Sequence, residues 1–211
     1  SAYVFDLDTG RGAGSIDLPA PVTAAAALGR RVVCVTENGR CLVIDPASAR
    51  IVHETPGPFR PSIAIAEGKA FLSTEDGRSV HAFDESGQMN ETAITGLSRP
   101  VANGPFAVAG QVVCTLDNGR LAVLHAGRLT IHSDTESEVM TGLSSRVYDV
   151  GGGEVLMQTK DNRLLRIDVT RGLIKHAYRP EIVAPMSATR HGSFIVLGLA
   201  DAEGRIELYE D

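Results

Sequence analysis

The feature that most constrains how this chain folds is an internal repeat. Asp6, Asp45, Asp84, His125, Asp168 and Glu210 close the same kind of segment, at successive steps of 39, 39, 41, 43 and 42 residues. Each period holds the same parts in order. A small-residue apolar strand comes first (residues 22–28, 62–66, 101–108, 145–150 and 186–190), then a glycine-containing turn, then a β-rich strand such as Arg31-Val32-Val33-Cys34-Val35. A hairpin turn follows, carrying Asn38-Gly39, Asp76-Gly77, Asn118-Gly119, Asp161-Asn162 or Glu203-Gly204, and third and fourth strands complete the unit. Asn-Gly and Asp-Gly pairs tolerate the positive φ angles of type I′ turns, so a two-residue hairpin is expected at Asn38-Gly39.

Four short strands per period of about 40 residues, without a convincing helix, predict an all-β chain of the β-propeller class with about five to six four-stranded blades. A lone four-stranded sheet buries one face at best, whereas sheets arranged radially bury both, so such a unit has to recur. The expectation is a single domain over residues 1–211, with five nearly complete blades and an extra outer strand pair at the N-terminus. That pair closes the ring against the last blade, or the chain is an excised piece of a larger propeller. Ala24 to Ala27 and the Ala/Gly-rich stretch from Ala102 to Ala109 fit the crowded innermost position.

Composition narrows the function classes. At 43% hydrophobic and 22% charged residues, the chain reads as a soluble globular protein, with both periplasmic and cytoplasmic locations open. No apolar run approaches the roughly 20 residues of a membrane-spanning helix. A net charge of −6 argues against non-specific binding to nucleic acid, which excess positive charge drives. The three cysteines, Cys34, Cys41 and Cys114, lack zinc-motif spacing and read as core thiols. With a two-residue turn at Asn38-Gly39, Cys34 and Cys41 would lie diagonally on one sheet face, roughly 7 Å apart, which is poor disulfide geometry.

The run Phe5-Asp6-Leu7-Asp8-Thr9-Gly10-Arg11 resembles the Asp-x-x-Thr-Gly segment of pyrroloquinoline-quinone-like (PQQ-like) propeller repeats, and residues 44–50 and 167–172 resemble it more loosely. In that family a Gly-x-Leu strand precedes the segment, as Gly119-Arg120-Leu121 does here, and a Trp stands eight residues after the Asp. This chain has no Trp. His53 and His176 hold the place after Asp45 and Asp168, and His132 holds it in a shortened copy. The resemblance implies that each of these histidines packs against the adjoining blade. A shared metal site is disfavoured, because equivalent positions diverge from blade to blade.

An arginine follows every hairpin turn: Arg40, Arg78, Arg120, Arg163 and Arg205. A row of guanidinium groups suits an acidic peptide or a phosphate. The acids just before them (Glu37, Asp76, Asp117, Asp161 and Glu203) offset part of that charge. Enzymatic motifs are absent: no Gly-x-Ser-x-Gly elbow, no His-Glu-x-x-His, no Walker loop. Gly10-x-Gly12-x-Gly14 lacks a following helix, Asp6 and Asp8 lack the later ligands of a calcium loop, and the cluster His132, Asp134, Glu136, Glu138 reads as a solvated connection. The expectation is therefore a non-catalytic protein- or peptide-binding scaffold without catalytic residue, metal or cofactor. The alternative is a propeller lyase or glycoside hydrolase with its active site at the axial mouth. The loops leading into the inner strands carry little charge apart from Arg60 and Arg99, which favours the scaffold.

Overall fold

The computed structural model describes residues 1–5, 11–95, 97–132, 143–159, 163–179, 185–199 and 206–210. Their regular structure is β-strand throughout. β1 (Ala2–Phe5) and β2 (Gly12–Ile16) form a two-stranded pair. The second sheet holds β3 (Val22–Leu28), β4 (Arg31–Thr36), β5 (Cys41–Asp45) and β6 (Arg50–Thr55), and the third holds β7 (Phe59–Ala66), β8 (Lys69–Thr74), β9 (Val80–Phe83) and β10 (Met89–Ile94). A fourth contains β11 (Val101–Val108), β12 (Gln111–Leu116), β13 (Leu121–His125) and β14 (Arg128–His132), and a fifth β15 (Leu143–Gly151), β16 (Glu154–Thr159), β17 (Leu164–Asp168) and β18 (Leu173–Tyr178). β19 (Pro185–His191), β20 (Phe194–Leu199) and β21 (Ile206–Glu210) make a three-stranded sixth sheet. In every sheet the strands lie side by side in chain order, as the repeat requires.

The chain divides into two compact units, Ser1–Phe106 and Ala107–Asp211. In the first, the β-branched strand β4 and its partner β5 are buried on both faces. Cys34, Leu42 and Ile44 pack with Ile16 of β2, while Val33, Val35, Cys41 and Val43 pack with Phe59, Ala70, Leu72 and Phe83 of the third sheet. β6 alternates between half-buried and exposed residues, as expected of an outermost strand. Phe59 anchors the second core, edge-on to Phe83 at 5.6 Å and to His81 at 5.9 Å between ring centroids. In the second unit, Val150, Leu156, Leu164 and Tyr178 of the fifth sheet pack against Ile195 and Leu197 of the sixth.

The hairpin turns differ from the two-residue expectation. The Gly39 N–H donates to Thr36 O at 2.8 Å and the Thr36 N–H to Arg40 O at 3.0 Å, and Gly39 has φ of 74° whereas Asn38 is not among the positive-φ residues. This is a three-residue loop, a type I turn closed by a left-handed glycine. The extra residue shifts the register by one, pairing Val35 with Cys41 and Cys34 with Leu42, so the two cysteines face opposite sides of the sheet. All three cysteines are free and buried, and burial pushes the thiols of Cys41 and Cys114 up to about 12, so both are poor nucleophiles. Type I′ geometry occurs instead between β13 and β14, where Ala126 (47°) and Gly127 (73°) both have positive φ.

The recurring aspartate also has a local cause. Asp45 accepts from the Ala47 N–H at 3.1 Å, Asp84 from the Ser86 N–H at 2.8 Å, and Asp168 from the Thr170 and Arg171 N–H groups at 3.1 Å. Each carboxylate thus pins the turn between the third and fourth strands from within. His125 stands in the aspartate's place where the two-residue turn makes such a cap unnecessary.

Candidate functional site

The turns between second and third strands are built alike in the second and third sheets. In each, a threonine two residues before the Asn or Asp organises the loop: Thr36 Oγ1 donates to Asn38 Oδ1 and Thr74 Oγ1 to Asp76 Oδ1, both at 2.6 Å. The same hydroxyls accept the Arg40 N–H at 3.1 Å and the Ser79 N–H at 3.3 Å. Asp76 also accepts the Arg78 N–H at 3.0 Å. Bonds from Thr74 and the Arg78 N–H, with the charges of Arg78 and Arg60, hold its carboxyl below the usual range.

The glycine of each turn is required by a neighbour as well as by its φ. Gly39 O accepts the Phe59 N–H at 2.9 Å and Gly77 O the Val101 N–H at 2.7 Å, so each turn is stapled to the first strand of the following sheet. A Cβ at Gly77 would lie 2.4 Å from Val101 O, and one at Gly39 3.0 Å from Gly57 O. Arg60 completes the second staple. It donates to Glu75 O through Nε (2.9 Å) and Nη2 (2.7 Å), and to Val101 O (2.6 Å) and Ala102 O (3.0 Å) through Nη1. The charge at this loop thus ties two sheets together.

Arg40, Arg78 and Arg120 each directly follow a turn glycine and all three are exposed, but Arg40 and Arg120 pair back to Thr36 and Leu116, whereas the third-sheet loop is one residue longer and pairs Thr74 with Ser79. Arg163 stands just before β17 and is half-buried, and Arg205 lies outside the described residues. The Arg40 guanidinium pairs with Glu54 of β6 rather than with the acid preceding its turn. Arg40 and Arg78 belong to the first unit and Arg120 and Arg163 to the second.

Of the three singled-out histidines, two press on the next sheet. A Cβ at Gly87, in the β9–β10 turn, would lie 2.5 Å from His53 Cβ, and one at Gly172, in the β17–β18 turn, 2.3 Å from His132 Cγ. At the equivalent point of β2 the sizes are reversed: Gly14 faces Ala49, whose own φ is 51°. His176 is exposed and its ring lies 4.5 Å from that of Tyr178. No group of three or more His, Cys, Asp or Glu among the described residues is placed to share a metal ion. Asp134, Glu136 and Glu138 lie outside the described residues, as do Asp6, Asp8 and Gly10.

Two features escaped the sequence reading. His81 on β9 faces Phe59, has an Nδ1 without a partner, and is pushed by burial below its ordinary value. In the fifth sheet Glu154 and Arg166 are 4% and 6% exposed, joined by an Arg166 Nε–Glu154 Oε2 bond of 2.7 Å, with Lys175 on the other carboxylate oxygen. Burial alone would raise the Glu154 carboxyl, but the bonds from Lys175 and Arg166 outweigh it and hold it below the usual range. A charged residue within the otherwise apolar strand Leu164-Leu165-Arg166-Ile167 was the available signal.

No family model and no curated protein matches this chain. Solved structures do. BamB from Moraxella catarrhalis is 18% identical with a TM-score of 0.69, covering 95% of this chain and 62% of its own. The β-propeller domain of Cps50 (Swd1) from Myceliophteria thermophila is 13% identical with a TM-score of 0.62, covering 88% of this chain and 64% of that one. A chain of the mitotic checkpoint complex is 13% identical with a TM-score of 0.67, covering 99% and 67%. The chain thus spans less than two thirds of the first two. With the successive antiparallel sheets, these likenesses show the fold to be a β-propeller of about five blades. No helix among the described residues is long and apolar enough to cross a membrane.

Proposed function

We propose that this chain is a non-catalytic scaffold of PQQ-like propeller repeats that holds an acidic protein or peptide segment on its Gly-Arg hairpin turns. The observation that carries the reading is the recurrence of an exposed arginine directly after the turn glycine, at Arg40, Arg78 and Arg120. The turns before Arg40 and Arg78 are rigid, because side-chain caps fix the loop and a backbone bond fixes it to the next sheet. A guanidinium on a fixed base loses less freedom on pairing with a carboxylate than one on a mobile loop. Arg163 and Arg205 extend the series in sequence. The contact of His53 with Gly87 and of His132 with Gly172 supports the PQQ-like reading, in which a Trp fills that slot between blades. The propeller found within the mitotic checkpoint complex is a precedent for this fold in an assembly of proteins.

The test compares the intact chain with a variant changed together at Arg40, Arg78 and Arg120 to Ser. Partners recovered with the intact chain from the cells that make it should be lost or reduced about tenfold or more with the variant. Equal recovery from both would move the binding surface to the opposite side or to the outer strands.

A further inference from the structure

A cavity of about 160 Å³ lies in the second unit, on the face of the fourth sheet that meets the β17–β18 turn. The pairing of β13 with β14 sets Val123 beside Thr130 and His125 beside Arg128, and Leu121 beside His132, so alternate residues of β14 all line this one face. Arg128, Thr130 and His132 come from β14, Val123 and His125 from β13, Gln111 from β12, and Thr170 from the turn of the neighbouring sheet. The described lining carries a guanidinium, two imidazoles, a carboxamide and two hydroxyls, and no carboxylate.

Two details give these groups a direction. The Gln111 Nε2–H donates to Thr170 Oγ1 at 3.1 Å, so the threonine oxygen is occupied as an acceptor and its own proton remains to donate. The Nε2 of His132 is buried without a hydrogen-bond partner in the protein. Buried polar atoms are nearly always satisfied, and one left alone beside a cavity rimmed with donors calls for an acceptor inside the cavity. The imidazole donates from Nε2 as the neutral Nε2–H tautomer as well as when protonated, so no titration is needed.

We infer that this cavity is a binding site for a small tetrahedral oxyanion of the phosphate class. Its volume is that of about five waters at roughly 30 Å³ each, below the roughly 300 Å³ at which pockets for drug-sized ligands begin. Donors reach it from the outer strand, from β12 and from the next sheet. Four acceptor oxygens pointing in different directions use such a set better than the two coplanar oxygens of a carboxylate. The Arg128 fork supplies the charge, and the Gln111–Thr170 bond ties the site to the contact between two sheets. The site runs along β13 and includes none of the turn arginines, so it is independent of the scaffold reading.

The test is a titration of the full chain with inorganic phosphate, followed by the backbone amide resonances of Gln111, Thr130 and Thr170, with chloride at matched ionic strength as control. The expected result is a saturable shift with phosphate and none with chloride, weakened about tenfold or more by Arg128→Ala and by Thr130→Val. Arg128 is exposed, so its replacement leaves the fold intact, which unchanged thermal unfolding would verify. The inference is overturned if phosphate gives no saturable shift up to tens of millimolar, if chloride gives the same shift, or if Arg128→Ala binds phosphate as tightly as the parent.

Discussion

The second and fifth sheets are the same four-stranded meander, with an aspartate capping the same turn and a register irregularity at the same point of the pairing between third and fourth strands, yet they fill the middle of the third strand in opposite ways. Val43 is fully buried among Val33, Val35 and Phe59, whereas Arg166, opposite Leu156 as Val43 is opposite Val33, is buried with a charge. The change did not come alone. Two residues before Leu156 stands Glu154, where the second sheet has Arg31, and the irregularity between Arg166 and Ile167 brings Lys175 onto the same carboxylate. In the second sheet Arg31 pairs with Asp45 directly at 2.5 Å. In the fifth the acid faces Asp168 across the strands, and Lys175 also lies 3.8 Å from that aspartate. The buried cation at Arg166 thus comes together with an acid, Glu154, at the adjoining position where the second sheet has Arg31.

Substitutions can break this comparison. Val43→Arg places a second cation beside Arg31, which already takes up Asp45, and should abolish folding, with a loss above about 4–5 kcal/mol. Arg166→Leu should cost about 3 kcal/mol, near the low end for an unpaired buried charge because Lys175 still reaches Glu154, and adding Glu154→Leu should recover most of it. Denaturant midpoints of the three variants, with the parent, decide the matter. Equal losses from Arg166→Leu alone and with Glu154→Leu would show that the pair is not a unit.

A contact of the same kind within each unit sharpens the comparison. Gly87 and Gly172 have φ of 82° and 66° and each touches a histidine of the preceding sheet. Alanine at either should cost about 2 kcal/mol or more, with at least about 1 from the left-handed backbone and the rest from the clash. Adding His53→Ala to Gly87→Ala, or His132→Ala to Gly172→Ala, should return only the part of the clash made by the ring, because the Cβ at 2.5 Å stays, read from thermal unfolding of the double variants.

Acid titration should separate the two units in the same way. His81, in the first, is depressed from an ordinary value of 6.5, so the folded chain binds fewer protons than the unfolded one as pH drops below about 6.5, and stability falls there. Glu154, in the second, is depressed from 4.5, so its contribution is intact above that pH and is lost as pH falls towards the folded value. His81→Leu should flatten the upper step and Glu154→Gln the lower one in stability measured against pH. The smallest effect belongs to the surface. Arg40→Ala, which removes the exposed pair with Glu54, should change stability by no more than about 1 kcal/mol.

The repeat, the strand order and the N-terminal pair were legible in the sequence, because Asn-Gly, Asp-Gly and the capping aspartate act locally. The loop length was not. Thr36 and Thr74 lengthen the turn through hydroxyl bonds that a dipeptide rule ignores, and that single residue decides which face Cys41 joins. Arg60 read as a stray charge on a bare loop, since its three backbone acceptors lie 15 to 42 residues away. The arginines were legible as a series, and the three-dimensional arrangement adds what fixes their bases.

The scaffold reading is tested most directly by placing a photo-crosslinking residue at position 78, beside the turn, or at position 52, where Val52 of the outer strand β6 is 44% exposed, and irradiating the chain in the cells that make it. A partner captured from position 78, not from position 52, and lost when Arg40 and Arg120 are also changed to Ser, is the expected result. Capture from position 52 alone, or capture from position 78 that survives loss of the arginines, would contradict it.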